Sequence, residues 1–403
     1  MRRLPAAAVF QKNCKVDLWR RSLLLSFRGP PRNLRSVAVW YGWGDPSADL
    51  RMTDSRTLQF SAAVFTTLGF LLGAVGCDRA APSPAPQTVV VYTSVDQVFA
   101  EPICRQFEQA TGIQVQLVPD TEETKSTGLL NRLIAEKERP RADVFWSGDP
   151  VRAAVLKAKG VSAAYLSPAA AGLPTEFSDP EHHWTSFSAR ARVLIYNKNL
   201  VPEDQRPTSI RDLAAPRFQN KACVANPLFG TSAMHAAALF QQLGDDRAKQ
   251  FFQSLVDNRV QILSSNGEVR RRVANGQFAI GLTDTDDVNV AIQEGKPVGF
   301  VYPDQAGLGT LLVPNAAVLI AGGPNRQQGK RFIDFLLSAK TEAALARSEA
   351  AQIPLRPDVA LPAGFPFLPI DQLRTMSVDY ARLADKLESI TPGFLKPWVD
   401  ANQ

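Results

Sequence analysis

Thr88-Val-Val-Val-Tyr-Thr-Ser-Val-Asp-Gln-Val-Phe-Ala-Glu-Pro-Ile-Cys-Arg-Gln-Phe-Glu-Gln-Ala-Thr-Gly-Ile-Gln-Val-Gln-Leu-Val118 reads as strand, helix, strand. The opening run is apolar and β-branched. Val98 to Ala110 carries Val98, Ile103 and Phe107, which we place on one helical face, and Gly112 supplies a stop. Ile113 to Val118 then alternates as a strand does. The rhythm continues with a helix over Lys125–Lys137 and a buried strand over Ala142–Trp146. Regular alternation of this kind predicts a mostly parallel sheet covered by helices on both faces.

Further along, strands are expected at Arg192–Tyr196, Ala222–Ala225, Phe278–Leu282, Val298–Tyr302 and Leu311–Ile320. Helices are expected at Ser232–Gln242, Asp246–Val256, Asp286–Glu294, Arg326–Leu337, 341–349 and 371–389. The fold class is therefore α/β, and two units joined by extended crossings fit the length better than an eightfold barrel. The expected domains are lobe 1 over 88–191, lobe 2 over 192–300, and a return to lobe 1 with C-terminal helices over 301–403.

Upstream of Thr88, residues 77–87 are rich in Ala, Pro and Ser and read as a tether. Before it, an apolar run ends in Ala74-Val-Gly-Cys77. The run is short and rich in Gly, Ala and Thr for a membrane span, and fits a signal-peptide core over 52–76. Its end resembles the lipobox of bacterial lipoproteins, which implies that Cys77 is acylated. Asp78 after it resembles an inner-membrane retention signal. Residues 1–51 show no sustained periodicity, and we read Met52 as the start. They hold ten Lys/Arg against three Asp, so the +6 of the 403-residue chain resides in this leader and the part after Cys77 is close to neutral. That distribution removes the nucleic-acid partner that a basic chain invites. Of the cysteines beyond Cys77, Cys104 and Cys223 fall in different lobes and read as isolated buried thiols.

Several pieces now combine. Val-Val-Tyr-Thr-Ser94, Thr124-Lys-Ser-Thr-Gly-Leu-Leu-Asn-Arg-Leu133, Arg141-Ala-Asp-Val-Phe-Trp146, Ala191-Arg-Val-Leu-Ile-Tyr-Asn197, Gly230-Thr-Ser-Ala-Met-His235 and Gln352-Ile-Pro-Leu-Arg356 occur in that order. Together they resemble the extracytoplasmic solute-binding proteins of ABC importers, of the ferric-iron-binding type within the type II periplasmic-binding fold. The resemblance implies a two-lobed clamp with hinge strands, a membrane permease as partner, a monomer and no catalysis.

In such folds the loops at the carboxyl ends of parallel strands, together with helix N-termini, face the crevice. The candidate ligand-binding residues are Thr93, Ser94, Asp96, Thr124, Lys125, Asp149, Asn226, Gly230, Thr231 and Ser232. The segment Gly281 to Asp287 is read as a further loop. Ferric-binding relatives place two adjacent tyrosines in the part matching Thr283–Asp287, and here it is Thr-Asp-Thr-Asp-Asp. The candidate metal set is instead Asp96, Asp149, Asp284, Asp286 and Asp287, hard oxygen donors suited to Fe(III), Mn(II), Ca(II) or Mg(II). Helix capping competes for Asp284 or Asp286 at the start of the helix expected near Asp286. A synergistic anion beside the metal is implied by the resemblance, and Thr231, Ser232, Thr93, Ser94, Thr124 and Lys125 are its candidate partners. The alternatives are a binder of an oxyanion or phosphonate-like solute, a sensory lobe, and a cleft enzyme. The last would need Cys104 or Cys223 as nucleophile, and both lie in apolar stretches.

Overall fold

The structure is a computed structural model that describes residues 87–120 and 127–403. Cys77, the signal and leader readings, Thr124 and Lys125 lie outside the described residues. The chain opens β1 (Thr88–Thr93), α1 (Gln97–Thr111), β2 (Gln114–Pro119), α2 (Thr127–Ala135), β3 (Val144–Ser147), α3 (Pro150–Ala158) and β4 (Ser162–Ala163). β5 (Thr185–Asn197) leads to β6 (Ala222–Ala225), α4 (Gly230–Leu243), α5 (Asp245–Asp257), β7 (Gln261–Leu263), α6 (Asn266–Ala274), β8 (Ile280–Asp284), α7 (Thr285–Gln293) and β9 (Val298–Val301). β10 (Leu312–Ile320), α8 (Arg326–Leu336), α9 (Ala339–Arg347), α10 (Tyr380–Ile390) and α11 (Lys396–Asn402) complete it.

β1 pairs in parallel with β2 and β3, and β6 in parallel with β7 and β8. The long β5, buried along its whole length, belongs to both groups. Its first half pairs antiparallel with β10 up to Ala191 opposite Leu312. From Arg192, opposite Asp284, it pairs with β8, and from Leu194 also with β9. One buried strand thus runs through two sheets. A bulge breaks the β5–β10 register at Pro314/Asn315, beside Ser188 with φ of +36°. Asn315 Nδ2 holds it by donating to the Ser188 carbonyl at 2.7 Å, and the buried Glu342 carboxylate accepts the Ser188 N–H at 2.6 Å.

Local chemistry accounts for the helices around the crevice. α1 ends at Gly112, whose φ of +70° is left-handed and whose N–H returns to the Glu108 carbonyl. Its buried stripe is Phe99, Ile103 and Phe107, spaced by four. Val98 belongs to the expected face but is 61% exposed, because one residue of rotation carries it off that stripe. α3 starts with Pro150 behind Asp149, whose Oδ1 accepts the Arg152 N–H at 3.0 Å. α6 starts behind Ser265, whose hydroxyl accepts from Glu268 N at 3.2 Å.

Three further expectations need correction. Residues 371–389 do not form one helix: only Tyr380–Ile390 does, while Thr375 bridges to Thr310. The predicted loop Gly281–Asp287 is strand β8 passing directly into α7. Gly230 and Thr231, read as loop, already belong to α4. α10 packs between α3 and α4, and Trp398 of α11 meets the Phe252 ring of α5 at 5.1 Å, edge to face. Cys104 and Cys223 are free, buried thiols, as the sequence led us to expect.

Candidate functional site

The carboxyl ends of β1, β3, β6 and β8 converge on a polar cleft. Ten candidates from the sequence line it: Ser94, Asp96, Asp149, Asn226, Gly230, Thr231, Ser232, Asp284, Asp286 and Asp287. Thr93 does not. Its hydroxyl donates to the Trp146 carbonyl at 2.9 Å and accepts from Val95 N at 3.0 Å, which fixes the turn that aims Ser94 and Asp96. Ser94 ties the end of β1 to that of its neighbour β3, its Oγ accepting the Gly148 N–H at 2.9 Å.

Sequence reasoning missed Ser265, Asn266 and Gly267, which also line the cleft. A signal was present, since Ser265-Asn-Gly-Glu268 before Val269 and Val273 has the spacing of a capping box. Asn266 Nδ2 donates to Thr231 Oγ1 at 2.8 Å and to Asp284 Oδ2 at 3.0 Å, joining α6 to α4 and β8.

Asp284 is the most heavily engaged acid. Arg192 Nη1 donates to its Oδ1 at 2.8 Å, and Thr231 Oγ1 to its Oδ2 at 2.7 Å. Both side chains of the ion pair are nearly solvent-free, at 1% and 3% exposure. Burial pushes the Asp284 carboxyl up, but the guanidiniums of Arg192 and Arg190 and the hydrogen bonds from Thr231 and Arg192 outweigh it and hold it below the usual range. Asp284 occupies the N-cap position of α7 but makes no side-chain cap bond, so capping is not its role. Asp149, by contrast, does cap α3 through Oδ1, while its Oδ2 is buried without a partner.

Asp286 and Asp287 carry the strained charges. Asp286 Oδ1 accepts the Asp287 N–H at 3.0 Å, and Arg190 Nη1 stands 3.8 Å from Oδ2. Burial pushes Asp286 up to about 8; Arg190 opposes it, and Asp287, Asp284 and Asp96 add to it. Asp287, whose Oδ2 accepts from Thr283 Oγ1 at 2.8 Å, is pushed up to about 6 by desolvation and by Asp284. Mutual repulsion of this sort is relieved by a proton or by a cation. Ligand oxygens of Asp284, Asp286 and Asp287 all lie within 4.8 Å of one another. Asp96 and Asp149 face the same cleft from the other wall. No tyrosine lines it among the described residues, so the donors available to a metal are carboxylates, hydroxyls and amide oxygens. Arg190 enters the same space from β5 and donates to the Gly148 carbonyl, touching both walls.

Two curled sheets that share a strand, with a polar cleft at the carboxyl ends of their strands, make the two-lobed fold of the periplasmic-binding type. Residues 103–369 match the model of the bacterial extracellular solute-binding protein family, and the chain belongs to that family. It is 27% identical over 292 residues to Iron uptake protein A1 of Synechocystis sp., covering 68% of this chain and 79% of that protein. Among solved structures it resembles iron-bound HitA of Pseudomonas aeruginosa, with a TM-score of 0.69, 22% identity, and coverage of 76% of this chain and 99% of that one. It also resembles the periplasmic binding protein AfuA of Actinobacillus pleuropneumoniae with fructose-6-phosphate bound, at a TM-score of 0.68, 21% identity, and coverage of 78% and 98%. Among the described residues no helix is long and apolar enough to cross a membrane.

Proposed function

We propose that this chain is the cargo-binding component of an ABC importer and that its cargo is Fe(III) or another hard metal ion. The observation that carries the reading is the meeting of Asp284, Asp286 and Asp287 oxygens within 4.8 Å inside an interlobe cleft. The buried, unpartnered Asp149 Oδ2 at the same cleft and the iron-uptake relative support it. Asp286 and Asp287 are the principal ligands, because Arg192 already neutralises Asp284. Asp96 and Asp149 close on the ion from lobe 1. The change of strand partners at Ala191/Arg192 supports lobes over 88–191 and 192–300 with a return over 301–403.

Arg190 acts as the resident counter-ion of the empty clamp. A hard cation of higher charge displaces it from Asp286, and the freed guanidinium, with the first-turn N–H groups of α4, meets a synergistic anion. The N-cap of α4 is Phe229, which gives those N–H groups no side-chain partner. The ion then passes to a permease in the membrane to which acylated Cys77 tethers a monomeric chain. Its family members are solute-binding transport proteins, and Cys104 and Cys223, buried and raised by desolvation, are poor nucleophiles.

The same donors favour a second reading, in which an oxyanion or phosphonate-like solute binds alone between Arg190 and α4. Titration of the purified chain with Fe(III)–nitrilotriacetate, Mn(II) and Ca(II), each with and without phosphate or carbonate, separates the two. Carboxylate ligation predicts saturable Fe(III) uptake without the visible phenolate-to-iron charge-transfer band that tyrosinate ligation produces. Absence of binding by all three ions under every condition overturns the metal assignment, and phosphate binding alone then establishes the second reading.

A further inference from the structure

A second cavity lies beside α4 and shares Ala225 and Ser232 with the lining of the cleft. Its wall is almost wholly apolar, formed by α4, α5, the Ile210–Leu213 turn and α11, with Leu239, Phe251, Phe252 and Leu255 prominent. Besides Ser232, three polar side chains interrupt that wall, and each leaves buried nitrogen without a hydrogen bond. They are His235, at both Nδ1 and Nε2, Trp398 at Nε1, and Arg192 at Nε. His235 is 2% exposed and Trp398 8%. Buried polar atoms are ordinarily paired, because an unpaired one has lost its water without replacement. Four such nitrogens around one apolar cavity mark a place for a molecule that brings its own polar atom.

The geometry points to a site for a small, uncharged, single-ring phenol: an apolar ring among the Phe and Leu side chains, with its hydroxyl at His235 and Trp398. The hydroxyl both accepts and donates. It takes a hydrogen bond from the indole N–H and gives one to the unprotonated imidazole nitrogen. His235 stays neutral there, since burial and the Arg192 charge bring its pKa down to about 3. A carboxylate is disfavoured because Asp284 already neutralises Arg192, and one more anion would be buried uncompensated.

The test uses 4-fluorophenol followed by fluorine NMR on the purified chain, with fluorobenzene and 4-fluorobenzoate as controls. Saturable binding of 4-fluorophenol is expected. Fluorobenzene should bind about tenfold more weakly, the value of one hydrogen bond to an otherwise orphaned partner, and 4-fluorobenzoate should not bind. Trp398→Phe, which keeps a ring and removes the donor, should weaken 4-fluorophenol about tenfold. Leu239→Trp should fill the cavity and abolish binding, with Ala236→Leu as a second filling variant if the first does not fold. Fe(III) titration of the same variants reads the cleft separately and should be unchanged, so loss of phenol binding is distinguishable from failure of the metal reading. No saturable binding, equal binding of fluorobenzene, tighter binding of 4-fluorobenzoate, or binding that survives a folded cavity-filling variant each overturns the proposal.

Discussion

Arg192 Nη1 lies 2.8 Å from Asp284 Oδ1 at the point where β5 leaves β10 and joins β8. The pair therefore sits at the junction of the two sheets and under the floor of the acidic cleft. Each partner makes the other's burial tolerable. Removing the cation alone leaves an uncompensated carboxylate, so Arg192→Leu should destabilise the chain by about 3–5 kcal/mol. Urea unfolding measures this, and Arg192→Leu with Asp284→Asn should recover part of the loss. A loss below about 1 kcal/mol for the single variant would show the pair to be dispensable.

The acids next to it should behave in the opposite sense. Asp286 and Asp287 are held above their ordinary values by burial and neighbouring charge, so ionising them costs folding free energy. Asp286→Ala with Asp287→Ala should leave the metal-free chain as stable or more so at pH 8, and weaken Fe(III) by at least about a hundredfold, or about 2.7 kcal/mol. Asp284→Asn alone should act chiefly on stability. Unchanged Fe(III) affinity in the double variant would return these aspartates to a structural role.

Acidity gives a separate reading of the same groups. Their unfolded pKa is near the ordinary aspartate value of about 3.9, while the folded values are about 8 for Asp286 and about 6 for Asp287. Between those limits the folded chain binds more protons than the unfolded one. Stability of the metal-free protein should therefore fall as pH rises from about 4 to 8, by at most about 1.4 kcal/mol per pH unit for each group. Fe(III) loading, which expels the protons, should strengthen over pH 6 to 8. Thermal melts and metal titrations across pH 5–8.5 test both slopes, and a Tm independent of pH would contradict the assigned shifts.

Arg190 separates cation from anion cargo. Arg190→Gln removes the counter-ion 3.8 Å from Asp286 while keeping a polar group near the Gly148 carbonyl. Hard-cation affinity should rise by about tenfold and phosphate affinity should fall. The reverse pattern would identify the guanidinium as the anchor of an anionic solute.

The thiols offer a check on the binding-protein assignment. Burial pushes Cys104 up to about 12 and raises Cys223 further. Neither should react with a thiol reagent at pH 8 in the native chain, and both should react once it is unfolded. Rapid native labelling of either would reopen a nucleophilic role.

The alternation of strand and helix was legible because apolar spacing is a local property. Ala222–Ala225 and Arg326–Leu336 could be placed from it almost to the residue. α6 was not, since its polar exposed face masks Val269 and Val273. Cleft residues could be found at strand ends by the same logic, and ten of them do line one cavity. Which of the acids is free to hold a cation is a different kind of fact. Asp284, Asp286 and Asp287 are near neighbours in the chain, yet Arg192, far from them in sequence, neutralises the first and Arg190 stands off the second. Sequence by itself determined most of the elements, the family and the shortage of tyrosine. Only the tertiary structure decided the charge state of each carboxylate, because desolvation and ion pairing depend on contacts between segments that periodicity cannot connect.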